Sequence, residues 1–248
     1  MALMVDTAAP DRLPRLLLCL FLIGTAGCVN RNIEIRTADV IVPTGRIRYQ
    51  AIEPSETAKT GPGWSGLSVD GEISYSHGND NKPLRVGDTL GLRRSEFTGP
   101  LRIRNRASVV DTTVNVRTGL SVKEMFRLEP MAGIELTSID LEVVGGGVQE
   151  SDTTTAVGFM TGLRGAFQPH ALFEIYGQAS AGWLAGGRGD NRGIRTEKYE
   201  TGARLLPFEH LGIFAGYRWA QYNQWREPDE SDSEFDFRGP VFGVEFRL

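Results

Sequence analysis

The chain has 248 residues and carries 27 Lys and Arg against 31 Asp and Glu, a formal net charge of −4. This balance gives no electrostatic case for a nucleic-acid partner. Both cysteines, Cys19 and Cys28, fall at the N-terminus, so a disulfide framework and a cysteine-built metal site are excluded from the rest of the chain. A mean hydropathy of −0.22 suits a soluble protein but equally a membrane barrel, whose strands alternate apolar and polar residues so that the average cancels.

In chain order, Arg12 and Arg15 precede an apolar run from Leu16 to Ile23, followed by Gly24-Thr25-Ala26-Gly27-Cys28. A basic stretch, a short apolar core and small residues predict a secretory signal over 1–27. The apolar run is shorter than the roughly 20 residues that a spanning helix needs. Thr25-Ala26-Gly27-Cys28 resembles the lipobox of bacterial lipoproteins, with Thr25 in place of the usual Leu. The resemblance implies that Cys28 becomes the lipid-modified first residue of the mature chain, and Val29 after it implies sorting to the outer membrane. Residues 29–63 show little sustained strand pattern, and Ala51–Gly63 is rich in Pro, Gly, Ser and Thr. Residues 28–63 are therefore expected to be a lipidated cysteine and a periplasmic linker.

From Trp64 onward the dominant period is two. Eight segments alternate: Leu67, Val69, Ile73 and Tyr75; Val110, Val114 and Val116; Phe126, Leu128, Ile134 and Leu136; Val157, Phe159, Leu163 and Phe167; Phe173, Ile175 and Trp183; Tyr199 and Leu205; Leu211, Ile213, Tyr217 and Trp219; and Phe242, Val244, Phe246 and Leu248. Each apolar face matches a strand tilted across a bilayer, about 9–11 residues. Connections around Ser121–Lys123, Gln168–His170 and Leu206–His210 are short. Those at Gly78–Leu101, Gly145–Asp152, Gly186–Gly193 and Asn223–Ser233 are longer and polar. Such sorting predicts a transmembrane barrel with both termini in the periplasm. Tyr75, Trp183, Tyr199 and Trp219 fall near one rim and Phe126, Phe167 and Phe246 near the other, as in the aromatic girdles at headgroup level. An open sheet would leave unpaired edges in hydrocarbon, so the eighth segment is expected to close on the first.

This arrangement, over residues 64–248, resembles the small outer-membrane barrels of OmpA, OmpX and OmpW type. The terminal Phe246-Arg247-Leu248 resembles the C-terminal signal read by the barrel-insertion machinery, ending in Leu rather than an aromatic. The resemblance implies an all-β, eight-stranded, antiparallel up-and-down transmembrane barrel, monomeric, in the outer membrane of a Gram-negative cell envelope. Its partners would be the insertion machinery, outer-membrane lipid and lipopolysaccharide.

The residues opposite the apolar faces include Asp70, Glu72, Asp111, Arg117, Glu129, Glu135, Arg164, Glu174, Lys198, Glu200, Arg204, Arg218, Glu245 and Arg247. In so narrow a barrel these fill the interior and must pair, because an isolated buried charge is prohibitively costly. Inward glycines at 158, 162, 212, 216 and 243 leave room for bulky neighbours or for a small cavity. Arg85, Arg93, Arg94, Arg102, Arg104 and Arg106 form a basic cluster in the first outer loop, suited to lipopolysaccharide phosphates through bidentate contacts. The acidic run Glu227, Asp229, Glu230, Asp232 and Glu234 reads as a solvated loop, and no metal or cofactor is expected. His77, beside Ser74 and Ser76, is the one histidine near the outer rim, without a matching His-x-Ser motif. The expected role is structural, surface-interacting or one of minor permeability, and not enzymatic. The alternatives are a lipid A-modifying enzyme centred on His77 and a lipid-anchored periplasmic barrel binding an apolar ligand.

Overall fold

The structure is a computed structural model. It describes residues 31–248 apart from 38–39, 85–88, 93–94, 187–191 and 227–231. The signal segment, Cys28, Arg85, Arg93, Arg94 and most of the acidic run lie outside the described residues. Among the described residues, twelve strands and one helical turn follow one another: β1 Arg31–Thr37, β2 Val42–Ile52, α1 Thr57–Thr60, β3 Pro62–Leu84, β4 Thr89–Leu92, β5 Ser95–Thr98, β6 Leu101–Val122, β7 Phe126–Gly145, β8 Val148–His170, β9 Phe173–Gly186, β10 Arg192–Phe208, β11 Leu211–Arg226 and β12 Asp232–Arg247.

All but β4 and β5 belong to one ten-stranded sheet, and the pairing of β12 with β2 closes it into a ring. The eight expected segments are β3 and β6–β12, each antiparallel to the next. The expected count of eight is nevertheless incorrect, as is the expected closure of the last segment on the first. Two further strands, β1 and β2, come from the stretch read as a linker and separate β12 from β3. Val40, Val42, Thr44, Arg46 and Arg48 face inward while Ile41, Pro43, Ile47 and Tyr49 face outward. This is strand alternation, which Pro43 and Gly45 disguise in the sequence.

β1 and β2 occupy the same edge of β12 in succession. Arg31–Thr37 pairs with Asp232–Phe237, and Val42–Arg48 with Val241–Arg247. Ten strands therefore fill nine positions around the ring. With an odd number of positions, strands that alternate in direction everywhere else must meet once in parallel, and the junction with β12 is that meeting. The ring is thus antiparallel throughout except at its seam. On the other side of β1 and β2 the ring is incomplete: β3 pairs with β2 only over Leu67–Ser74, and β1 lies beside the upper part of β3 without joining it. There Thr37 occupies the space that a Cβ on Gly78 would need, so a glycine permits the close approach.

The strands are also longer than expected, up to 23 residues for β3 and β8. Much of what reads as outer loop is strand. Gly145–Asp152, expected to be a longer outer loop with a hairpin tip at Gly145-Gly146-Gly147, is reduced to that tip, where Gly146 and Gly147 take φ of 57° and 82°, the left-handed pair of a type I′ turn. At the opposite, short-turn end, α1 covers the β6–β7 turn. Its Ala58 carbonyl accepts the Glu124 amide at 2.9 Å, and the Gly61 carbonyl accepts that of Lys123 at 3.2 Å. The β4–β5 hairpin lies beside β1 and β8, which stand on opposite sides of the ring's other mouth.

Candidate functional site

Side-chain polarity reverses part way along the strands. On β7 the outward residues from Phe126 to Leu136 are apolar, with Ile134 53% exposed, while Glu129 and Glu135 point inward and are buried. Past Leu136 the assignment flips. Ile139, Leu141 and Val143 are buried, and Asp140 faces out. On β6 the flip falls between Val109, which is buried, and Val110, which is exposed: Val114 and Val116 face out below it, and Ile103 and Ala107 face in above it. On β12 Phe235 and Phe237 face in, whereas Phe242, Val244 and Phe246 face out. β2 and the residues leading into it behave likewise, with Val40 and Val42 inside and Ile47 and Tyr49 outside. The exposed apolar residues form one belt on every position of the ring. From Val110 to Leu120 or Phe126 to Leu136 the belt has the height of a spanning strand, about 9–11 residues.

Aromatic rings border the belt. Tyr199 stacks on Trp219 at 4.9 Å between centroids, and the Trp219 indole donates to Asp236 at 2.6 Å. At the short-turn border Phe126 stacks on Phe167 at 4.5 Å.

Inside the belt the ring is filled with ion pairs in three groups. Midway, Arg46 donates to Glu72 at 2.8 Å and to Glu200 at 2.7 Å, and Arg218 reaches the same two carboxylates at 2.6 and 2.5 Å. Tyr176 donates to Glu200 at 2.6 Å, and the Arg46 guanidinium lies 4.0 Å from the centroid of Phe214. Toward the short-turn end, Asp70 takes Arg48 at 3.0 Å and also Arg117. Glu174 holds Arg164, Arg127 and Arg204, and Glu245 holds Arg204 at 2.7 Å and Arg247 at 3.0 Å; Glu129 pairs with Arg164 at 3.3 Å. Just below the polarity flip, Lys198 bridges Asp111 and Glu135, the latter at 2.9 Å. Thr137 and Thr196 donate to these carboxylates.

All the inward charges named from sequence thus fall inside the ring and engage one another. Sequence reasoning missed Arg46 and Arg48, which β2 contributes. A signal was present: the inward set drawn from eight segments holds more carboxylates than cations, and these two arginines offset the excess. The inward glycines make room for bulky groups. A Cβ on Gly243 would come within 2.8 Å of the Phe214 ring, and one on Gly202 within 3.0 Å of the Tyr176 hydroxyl. The cavity left between Arg46, Glu72, Arg117, Lys198 and Arg218 measures about 50 Å³, the space of a few waters.

Arg102, Arg104 and Arg106 do not lie in a loop. They occupy alternate outward positions of β6 above the belt, beside Asn81 and Pro83 of β3 and Glu142 of β7. Arg106 pairs with Glu142 at 3.4 Å. His77 does not meet Ser74 or Ser76, which point inward and are buried. Its Nδ1 instead lies 2.9 Å from the Ser108 hydroxyl across the β3–β6 ladder. Asp140 neighbours Ser108 on β7; no carboxylate orients the imidazole among the described residues. Glu234 lies on β12, accepting from Gln221 at 2.7 Å. Among the described residues no group of three or more His, Cys, Asp or Glu could hold a metal ion. No protein-family model, curated protein or solved structure matches this chain.

Proposed function

We propose that the chain is an integral outer-membrane β-barrel of the Gram-negative envelope, monomeric, with a structural and surface-display role. The polarity reversal carries this reading. A soluble monomer rarely exposes a contiguous apolar patch above a few hundred Å², yet here the apolar belt encircles the ring while charge fills the inside. Above the flip the ordinary arrangement returns, with an apolar interior and a polar exterior. That is what a sheet must do where it leaves hydrocarbon for water. The interior favours a rigid frame over a conduit or an apolar-ligand pocket, because ion pairs occupy the lumen and the remaining space suits only water.

In this reading Arg102, Arg104 and Arg106 project at the height of lipopolysaccharide headgroups, where guanidinium forks suit phosphate. Replacing all three with Ala is expected to lower the lipopolysaccharide recovered with the purified protein, at unchanged membrane insertion. His77 has no catalytic role in this reading: His77→Ala should leave the lipid A mass spectrum unaltered, and a lost lipid A species would reverse that assignment. The membrane reading itself is tested by heat-modifiable mobility and carbonate extraction of full-length protein from the envelope fraction. A single unshifted band together with release by carbonate would overturn it.

A further inference from the structure

The seam of the ring fixes where the chain enters it. β12 runs from the long-loop end at Asp232 to the short-turn end at Arg247, and β1 and β2 run parallel to it. Arg31 stands opposite Asp232 and Arg48 opposite Arg247. The ring therefore begins at the long-loop end and finishes at the short-turn end, so its two termini are on opposite sides. This departs from an even-stranded up-and-down barrel, in which both termini share the periplasmic side.

We infer that the N-terminal end of the ring, at Arg31, is displayed on the cell surface and not in the periplasm. The inference rests on the membrane reading above, with the long loops outside. Among the described residues the ring leaves no passage between its two ends. Val40, Ile103, Ile139, Ile194, Phe235 and Phe237 close its upper interior as one apolar cluster, and the ion pairs fill the part below. The N-terminal end of the ring thus lies on the same face as Arg102, Arg104 and Arg106.

The test uses the full chain in intact cells and a membrane-impermeant maleimide, applied to single variants Asn30→Cys, Val148→Cys in the β7–β8 hairpin and Ala171→Cys in the β8–β9 turn. Residues 29–248 hold no native cysteine, so each added thiol reports its own position once labelling of the parent chain, which carries Cys28, is subtracted. The expected result is labelling of Asn30→Cys and Val148→Cys in intact cells, and of Ala171→Cys only after permeabilisation. Labelling of Asn30→Cys only after permeabilisation, with Val148→Cys reactive beforehand, overturns the surface-facing N-terminus and leaves the membrane reading standing. If all three react only after permeabilisation, the membrane reading fails and the inference falls with it. An epitope inserted between Asn30 and Arg31, read by antibody on intact cells, decides the matter if the thiol at 30 is shielded.

Discussion

The two halves of the ring's interior solve the same packing problem with opposite materials. Toward the short-turn end, Arg164, Glu174, Arg204 and Glu245 are almost wholly buried and hold one another in place. Toward the long-loop end, Ile139, Val143, Ile194, Phe235 and Phe237 are as deeply buried and hold nothing by charge. Both halves are built from the same strands, so backbone geometry does not choose between them. In the membrane reading proposed above, the environment outside does. Where the exterior is water, apolar burial drives the packing. Where the exterior is apolar, burying more apolar surface gains little, and polar groups are expelled inward, where they have to satisfy one another.

The largest expected effect comes from breaking the charged half. Arg46→Ala leaves Glu72 and Glu200 short of a partner and should cost about 3–5 kcal/mol, read as the urea midpoint for loss of the heat-modifiable form in lipid vesicles. The comparison sharpens if Glu72→Gln and Glu200→Gln accompany it. The combined loss should fall well below the sum of the separate losses, because these groups share one network; strict additivity would argue against it. Next is the exterior. Val114→Arg, in the middle of the belt, should cost roughly 2–4 kcal/mol, whereas Thr153→Arg, above the flip, should cost about 0–1 kcal/mol. Equal costs at the two positions would remove the basis for placing the boundary between them. In the apolar half Ile139→Val should cost only about 0.5–1.5 kcal/mol. The smallest effect lies at the short-turn end, where Lys123 and Glu124 hold φ of 53° and 54°. Glu124→Gly relieves the left-handed strain and keeps the amide that Ala58 accepts, for a net gain of about 0.5 kcal/mol.

The belt half of each strand was legible in the sequence, and the upper half was not. From Val110 to Val116 or from Phe126 to Leu136 the alternation keeps one phase. At Val109-Val110 two adjacent valines take opposite sides, and between Leu136 and Ile139 the apolar spacing becomes odd. A period-two reading therefore breaks at the point where the physics reverses, and the strand beyond looks like polar loop. This is why Arg102, Arg104 and Arg106 read as loop residues. β2 was hidden for a different reason. Pro43 and Gly45 take outward positions where apolar residues were sought, so Ile47 and Tyr49 stood alone opposite Arg46 and Arg48. Which carboxylate meets which guanidinium was beyond sequence altogether, since Arg46 meets Glu200 across 154 positions.

The parallel seam also sets an order of events during assembly. Every other junction joins consecutive segments of the sheet, but the seam joins Val42 to Val241, the two ends of the ring-forming chain. Bringing together points some two hundred residues apart costs on the order of 5 kcal/mol in chain entropy, against about 2 for a ten-residue hairpin. Hairpins such as β7–β8 can therefore form early, while the ring is sealed only when its last strand meets its first. Until then one edge on β2 and one on β12 stand open together, each with a ladder of unpaired amides and carbonyls that hydrocarbon does not tolerate. In the membrane reading proposed above, a nascent sheet of this kind has to be held at both edges at once while it enters the bilayer.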